Sequence, residues 1–478
     1  MVFSSLFFLF CFLPIVLVSY FVIPEKLRNL YLLLASLFFY AWGEGLYVLL
    51  MLFVIILNYV IGISFDKRTA NTRRRLLLIG IGINLIPLLF YKYSAFFLEN
   101  IGKIFEGATD LALSPNAIHL PLGISFFTFQ AMSYLIDTYR GSTCSQKNPI
   151  NLGLYIAVFP QLIAGPIVRY HDISRQINER RISLDDFSLG VERFIIGLAK
   201  KVLLANPLGQ MADTVFSMPT SELSTLAVWI GAVSYTLQIY YDFSGYSDMA
   251  IGLGRMFGFT FLENFNFPYV SRSIQEFWRR WHISLSNWFR DYLYIPLGGN
   301  RKGPRRTIIN LFIVFFLCGL WHGASWNFIF WGLFHGFFLS IERGRWGSML
   351  QRAPRFFRHG YVLLVVLVGW IFFRAETFTQ GVNLVGILFG DQTTTLLPYA
   401  VMMRLNVLFY ITLGSAIFFM APTMPCLYEK AGQTAFGVLL RKFRVQYLVR
   451  LLCLCSVFML ALASLASGVY NPFIYFRF

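Results

Sequence analysis

Residues 307–341 read TIINLFIVFFLCGLWHGASWNFIFWGLFHGFFLSI, 35 positions without an Asp, Glu, Lys or Arg. A bilayer core about 30 Å thick takes roughly 20 residues of helix, so a stretch of this length belongs inside a membrane. Seven more runs of at least 19 residues also lack formal charge: 1–24, 45–65, 111–136, 148–168, 223–241, 405–428 and 451–476. They are apolar on every face, whereas strands of a membrane barrel alternate apolar with polar, so barrels are excluded. The expectation is an all-α polytopic integral membrane protein with roughly 10–13 membrane helices. Pro121, Gly123, Pro149, Gly153, Pro160, Gly165 and Pro166 interrupt the runs beyond residue 110. Non-helical backbone survives at membrane depth only where protein buries it or water reaches it, so re-entrant or broken helices enclosing a cavity are expected there.

Composition agrees. Of 478 residues, 57% are hydrophobic, 18% aromatic and 13% charged, which excludes soluble multidomain, coiled-coil, collagen-like and disordered chains. The formal net charge of +17 would suggest nucleic acid in a soluble protein. Here the excess Lys and Arg lie in short loops, as retention of positive charge on the cytosolic side requires, and no nucleic-acid module accompanies them. Cys11, Cys144, Cys318, Cys426, Cys453 and Cys455 form no CxxC pair and read as small apolar residues.

Lys67, Arg68, Arg73, Arg74 and Arg75 against Asp66 mark an inside loop. Counting back through spans at 45–65, about 29–43 and 1–24 puts the N-terminus outside, and a fourth span over about 76–91 returns outward. The first run has no basic residues ahead of it, so it is expected to stay in the mature chain. Residues 1–478 read as one domain: N-terminal spans over 1–110, a core over 111–345, and C-terminal spans over 346–478, at about 360–373, 405–428 and 451–469.

Three segments carry chemistry. From Phe267 the chain reads FPYVSRSIQEFWRRWHISLSNWFRDYLYIPLGGNRKGPRR, with eight Arg or Lys against Glu276 and Asp291, a net of +6. Ile274, Phe277, Trp278, Trp281, Leu285, Trp288, Phe289 and Tyr292 share one helical face, with Arg279, Arg280 and Arg290 opposite and His282 at its edge. The pattern predicts one aromatic helix lying at the membrane interface, either an anchor beside anionic headgroups or a site where its cations meet phosphate. Within 307–341, Trp321-His322-Gly323-Ala324-Ser325-Trp326-Asn327 precedes His335. An ionisable residue at membrane depth is a functional candidate by default, and an uncharged imidazole can take a proton from a hydroxyl. His335 lies about 20 Å further along a continuous helix, so it is assigned to packing and shares no site with His322 unless Gly323 breaks the helix. Tyr240-Tyr241-Asp242-Phe243-Ser244-Gly245-Tyr246-Ser247-Asp248 ends an apolar run. It is either a self-satisfied network or, through Tyr241, Asp242 and Ser244, the lining of a substrate cavity. There is no GxSxG elbow, Walker loop, HExxH or His-x4-Asp, so hydrolase, ATP-driven pump and zinc protease lose support, and no metal or bound cofactor is expected.

The segments FPYVSRSIQEFWRRWHISLSNWFRDYLYIPLGGNRKG and LCGLWHGASWNFIFWGLFHG, in this order, resemble the membrane-bound O-acyltransferase family. With the opening MVFSS, the stretch YYDFSGYSDMAIGLG and the ending PFIYFRF, the chain is similar to the family's bacterial branch for alginate O-acetylation. That branch is shared with other exopolysaccharide systems and related to teichoic-acid D-alanylation. The resemblance implies helices around a central tunnel, with His322 matching the active-site histidine and His282 the second histidine. It further implies a bacterial inner membrane, an acetyl donor that is expected to be acetyl-CoA, and an acceptor hydroxyl on the outer side. An extracytoplasmic acetyltransferase would be the partner and an exopolysaccharide the indirect acceptor. Beside the histidines, Trp321, Asn327, Tyr241, Asp242 and Ser244 are substrate-binding candidates, and Arg279 and Arg280 with Arg290, Arg301 and Lys302 are candidates for the donor's phosphates. The rivals are a transporter moving an acylated carrier without chemistry, and D-alanyl transfer.

Overall fold

The computed structural model describes residues 1–104, 119–391, 394–423, 445–468 and 470–472. The first part of run 111–136, Cys426 with the end of run 405–428, and the ending from Phe473 lie outside the described residues. Helices α1 (Leu13–Val22), α2 (Arg28–Glu44) and α3 (Val48–Ser64) run back and forth, and Gly45, at φ 56°, turns the chain between the last two. The fourth helix, α4 (Ala70–Ile104), does not stop near residue 91 as its charge pattern suggested: it continues through Pro87 and past Lys92. Gly123 and Gly141, both at φ 74°, bound α5 (Ile124–Arg140), which is buried along almost its whole length. The expected breaks follow. α6 (Pro149–Ala157) ends at an extended Val158, α7 (Phe159–Leu162) is a single turn, and non-helical residues 163–168 are all buried in protein. Their backbone is satisfied from other elements, for example by Ile167 N–H donating to Ser284 Oγ at 2.9 Å.

Next come α8 (Tyr170–Glu179), α9 (Leu184–Ala199), a π-helical segment Lys200–Ala205, α10 (Asn206–Phe216) and α11 (Thr225–Met256). They are followed by α12 (Ile274–Arg280), α13 (Ile283–Phe289), a π turn Arg290–Tyr294, α14 (Pro304–His322) and α15 (Trp326–Ile341). The chain continues through α16 (Arg345–Arg352), α17 (Arg355–Arg374), α18 (Phe378–Leu388), α19 (Tyr399–Met402), α20 (Val407–Phe419) and α21 (Val445–Ala466). Five stretches are long and apolar enough to cross a membrane: Glu25–Ser64, which holds both α2 and α3, Ala70–Lys103, Pro304–His322, Arg355–Arg374 and Tyr447–Ala466. With the shorter apolar helices α15, α18 and α20 beside them, this is an all-α, multi-pass membrane protein.

Without a hydrophobic drive between helices in lipid, close backbone approach at small residues supplies the packing. A Cβ on Gly197 would lie 2.5 Å from the carbonyl of Gly245, and one on Gly190 2.7 Å from that of Gly252, so α9 and α11 touch backbone to backbone. The α14–α15 pair does the same, Gly319 against the Phe328 carbonyl and Gly332 against that of Phe315.

One end of the bundle gathers the basic loop 66–75 and the segment after α13. Arg73 donates to the carbonyls of Thr138 and Tyr139 at 3.2 and 3.0 Å, and Arg140, at the end of the same helix, donates to the Asp291 carbonyl at 3.1 Å. Here His171 bridges Asp137 (2.9 Å) and Asp172 (3.2 Å). Hydrogen bonding to Asp137 and then to Asp172 lifts the imidazole to about 9. Burial would raise Asp172, but His171 and Arg169 outweigh it and hold the carboxyl at about 2.

The aromatic face of residues 274–292 is not one interfacial helix. It breaks at Trp281-His282, where His282 takes a left-handed φ of 42°, and the rings turn inward. Trp278, Trp281 and Trp288 are 8%, 3% and 5% exposed, packed on protein and not on lipid, so the anchor reading fails. No Gly or Pro signals this break. It is held from upstream, with Asn266 N–H donating to the Arg280 carbonyl and Ile283 N–H to that of Asn264, each at 2.9 Å.

Candidate active site

α14 ends at His322 because Gly323 is extended (φ −168°, ψ 153°), and α15 resumes at Trp326. Gly323 thus breaks the run of 35 uncharged residues into a hairpin with the histidine at its bend. The His322 ring lies 4.9 Å from that of Trp321, 5.0 Å from Trp331 and 5.1 Å from Phe373, each edge to face, and the residue is 7% exposed. Also against Trp331, at 5.1 Å, sits His335, fully buried and 5.1 Å from Trp278. The break therefore brings both histidines within about 5 Å of one indole, closer together than a continuous helix would allow.

His282 approaches from the α12–α13 turn. Its ring is 6.1 Å from Trp321, the ring that also packs on His322, and 4.6 Å from Phe243 of α11. Asn264 fixes the tautomer. Its Oδ1 accepts from Ser284 N–H (3.2 Å) and Ser284 Oγ–H (2.9 Å), while its Nδ2 donates to Ser247 Oγ (3.0 Å). An atom that accepts from a backbone N–H is the oxygen, so His282 Nδ1, at 3.0 Å from it, must carry the proton and donate, leaving the lone pair on Nε2. The left-handed backbone at a bulky residue is strain of the kind that accumulates at functional sites.

The other candidates divide. Trp321 lies in the site, packed also edge to face on Phe126 at 5.4 Å and at a tilt on Phe129 at 5.6 Å. Asn327 clamps the start of α15 to the end of α17, donating to the Ala375 carbonyl at 2.6 Å. Asp242 faces Lys201 at 2.8 Å, both almost fully buried, and Lys201 also donates to the Pro472 carbonyl. Tyr241 donates to the Ala416 carbonyl at 2.6 Å. Ser244 is buried in the same stretch, whose polar groups lie in the middle of α11 and not at the end of a run. Arg280 pairs with Glu276 and the Asn266 carbonyl, both at 3.0 Å, and Arg279 is exposed. The sequence gives no signal for Asn264, Ser284 or Lys92: the first two are ordinary polar residues, and the Lys92 charge reads as the end of a span.

The sequence pattern of MBOAT, the membrane-bound O-acyltransferase family, matches residues 117–379, which contain both histidines and Asn264. The chain belongs to this family. It is 42% identical to a probable alginate O-acetylase, AlgI, of Pseudomonas putida over the whole of both chains, and 46% identical to one of Pseudomonas aeruginosa over 79% of this chain and 72% of that protein. A peptidoglycan O-acetyltransferase of Helicobacter pylori is 37% identical over 80% of this chain and 79% of that one. This membrane-bound O-acyltransferase is therefore an acyl-transferring enzyme, and the transporter rival falls away.

Proposed function

We propose that the chain moves an acetyl group from a cytosolic donor, acetyl-CoA, to a hydroxyl on the outer side of a bacterial inner membrane, for O-acetylation of an exopolysaccharide such as alginate. The observation that carries this reading is the bend at His322: an imidazole at the end of a membrane helix, walled by Trp321, Trp331 and Phe373, with a second imidazole of fixed tautomer beside it. His322 acts as general base on the acceptor hydroxyl, which attacks the thioester carbonyl; the proton passes to the imidazole and the thiolate leaves. His282, lone pair on Nε2, orients the donor carbonyl or the hydroxyl. The basic end of the bundle, with Arg290, Arg301 and Lys302 near its π turn, faces the cytosol and receives the donor's phosphates. An extracytoplasmic acetyltransferase takes the acetyl onward to the polymer. Alginate-like acceptors are favoured over peptidoglycan by the higher identity to the alginate relatives.

Direction and donor are tested together. Asn71 and Asn300 are exposed at the basic end. Single cysteines there, in a cysteine-free chain, should resist an impermeant thiol reagent in intact cells and react after permeabilisation, and purified protein in nanodiscs should release free thiol from acetyl-CoA. Labelling of position 300 from outside, or no turnover of acetyl-CoA, overturns the cytosolic-donor mechanism.

A further inference from the structure

We infer that Lys92 of α4 is a positioning residue that sets the place of His322 by closing the end of the helix that carries it. The inference rests on the reading of His322 as the base. In an uninterrupted helix the carbonyls of Leu320 and Trp321 would accept from amides four residues on. Those amides belong to Ala324 and Ser325, which leave the helix with Gly323. Two successive side chains of α4 replace them: Tyr93 Oη–H donates to the Leu320 carbonyl at 2.6 Å, and Lys92 Nζ–H to that of Trp321 at 2.5 Å.

Lys92 also donates to Ser125 Oγ at 3.4 Å and sits 5.9 Å from the centre of the Trp321 ring, the ring that packs on His322. The last two carbonyls before the histidine are thus held from a different helix, not by the hairpin itself. A half-buried lysine at membrane depth requires such partners, since an unpaired polar group there is costly. The orphaned carbonyls need a donor, and the length of the lysine stem lets α4 supply one across the gap. Fixing the last turn of α14 fixes the backbone of Trp321 and with it the direction in which the next side chain points. Displacement of a catalytic group by about 1 Å is enough to cost ~100-fold in rate.

The test compares Lys92→Met, Lys92→Arg and Tyr93→Phe in cells that make the acetylated polymer, reading base-labile acetate per unit of protein in the membrane. Lys92→Met, which keeps the stem and loses the donor, should lower acetylation by roughly 10- to 100-fold. Lys92→Arg should keep at least half, and Tyr93→Phe, with one of two caps left, should fall severalfold. The role of Lys92 is overturned by any of three results: near-normal acetylation in Lys92→Met, a Lys92→Arg variant as inactive as Lys92→Met, or loss of either protein from the membrane. His322→Ala is run alongside. Retained acetylation there sinks the reading of His322 itself, whereas an inactive His322→Ala beside a normal Lys92→Met sinks the role of Lys92 alone.

Discussion

The middle of α11 and the bend between α14 and α15 both bring polar side chains into apolar surroundings, and they surround them differently. In α11, Asp242 meets Lys201 at 2.8 Å, and Asp248 meets Lys200 at 2.6 Å and Arg193 at 2.7 Å, all from α9 and the π segment that follows it. Those carboxylates are matched by charge across the same interface where glycines bring the two backbones together, so each ties α11 to α9 or to the π segment after it. At the bend, His322 is walled by indole and phenyl rings where the backbone leaves its helix. Polarity at membrane depth is therefore a weak sign of chemistry by itself. What the polar group faces, a counter-charge or a wall beside broken backbone, separates a strut from a site.

The comparison breaks most sharply at His322. Replacing it with Ala should remove base-labile acetate from the polymer by roughly 10²- to 10⁴-fold, the loss of a positioned base, at unchanged protein level. Near-normal acetylation would move His322 to the packing class. Asp242→Ala should do the reverse: it strands Lys201 in the interior at a cost of about 3–5 kcal/mol, so yield and thermal midpoint fall while activity per folded molecule persists. Joint replacement by Asp242→Leu and Lys201→Met should recover the midpoint. A well-folded but inactive Asp242→Ala would place α11 in the catalytic machinery.

His282→Ala is expected to reduce acetylation about tenfold, less than His322→Ala, as befits an orienting group. A loss equal to or exceeding that of His322→Ala under matched expression exchanges their roles. The smallest effect belongs to the basic end. His171 is raised to about 9 by Asp137 and Asp172, above its ordinary value near 6.5. The stability this contributes is complete below about pH 6.5 and is lost as pH rises through about 9. His171→Gln should flatten the fall of the thermal midpoint over that window; an unchanged slope would assign the pH dependence elsewhere.

Spans were legible because absence of charge is a local property: α2, α3 and α17 fall within a few residues of the runs that announced them. The interruptions around Pro149, Pro160 and Gly165 were legible for the same reason, since Pro and Gly act on their own backbone. The turn at His282 was not, because hydrogen bonds from Asn264 and Asn266, well upstream, hold a residue with no local signal in a left-handed conformation. The length of α4 was misread because Lys92 carries a formal charge, and only the carbonyl it meets on α14 explains why the helix runs through it. Of the candidate site, the two histidines and Trp321 could be named from their motifs, whereas the tautomer of His282 and the pairing of Asp242 depend on neighbours remote in sequence.

α4 also works as a depth gauge. Arg75 and Glu99 bracket its apolar stretch, 24 residues and therefore about 36 Å apart, and Lys92 is the sole charge between them. Lys92 stands 17 residues, about 26 Å, from the arginine and 7 residues, about 10 Å, from the glutamate. Because Lys92 touches the last turn of α14, the imidazole beside it shares this lopsided level. A reactant entering from the arginine end has to present its reactive carbon on a long, slender arm. Under the two-sided transfer proposed above, one entering from the glutamate end would need little more than the reach of a side chain, so the two substrates would be sorted by shape before they are distinguished by chemistry.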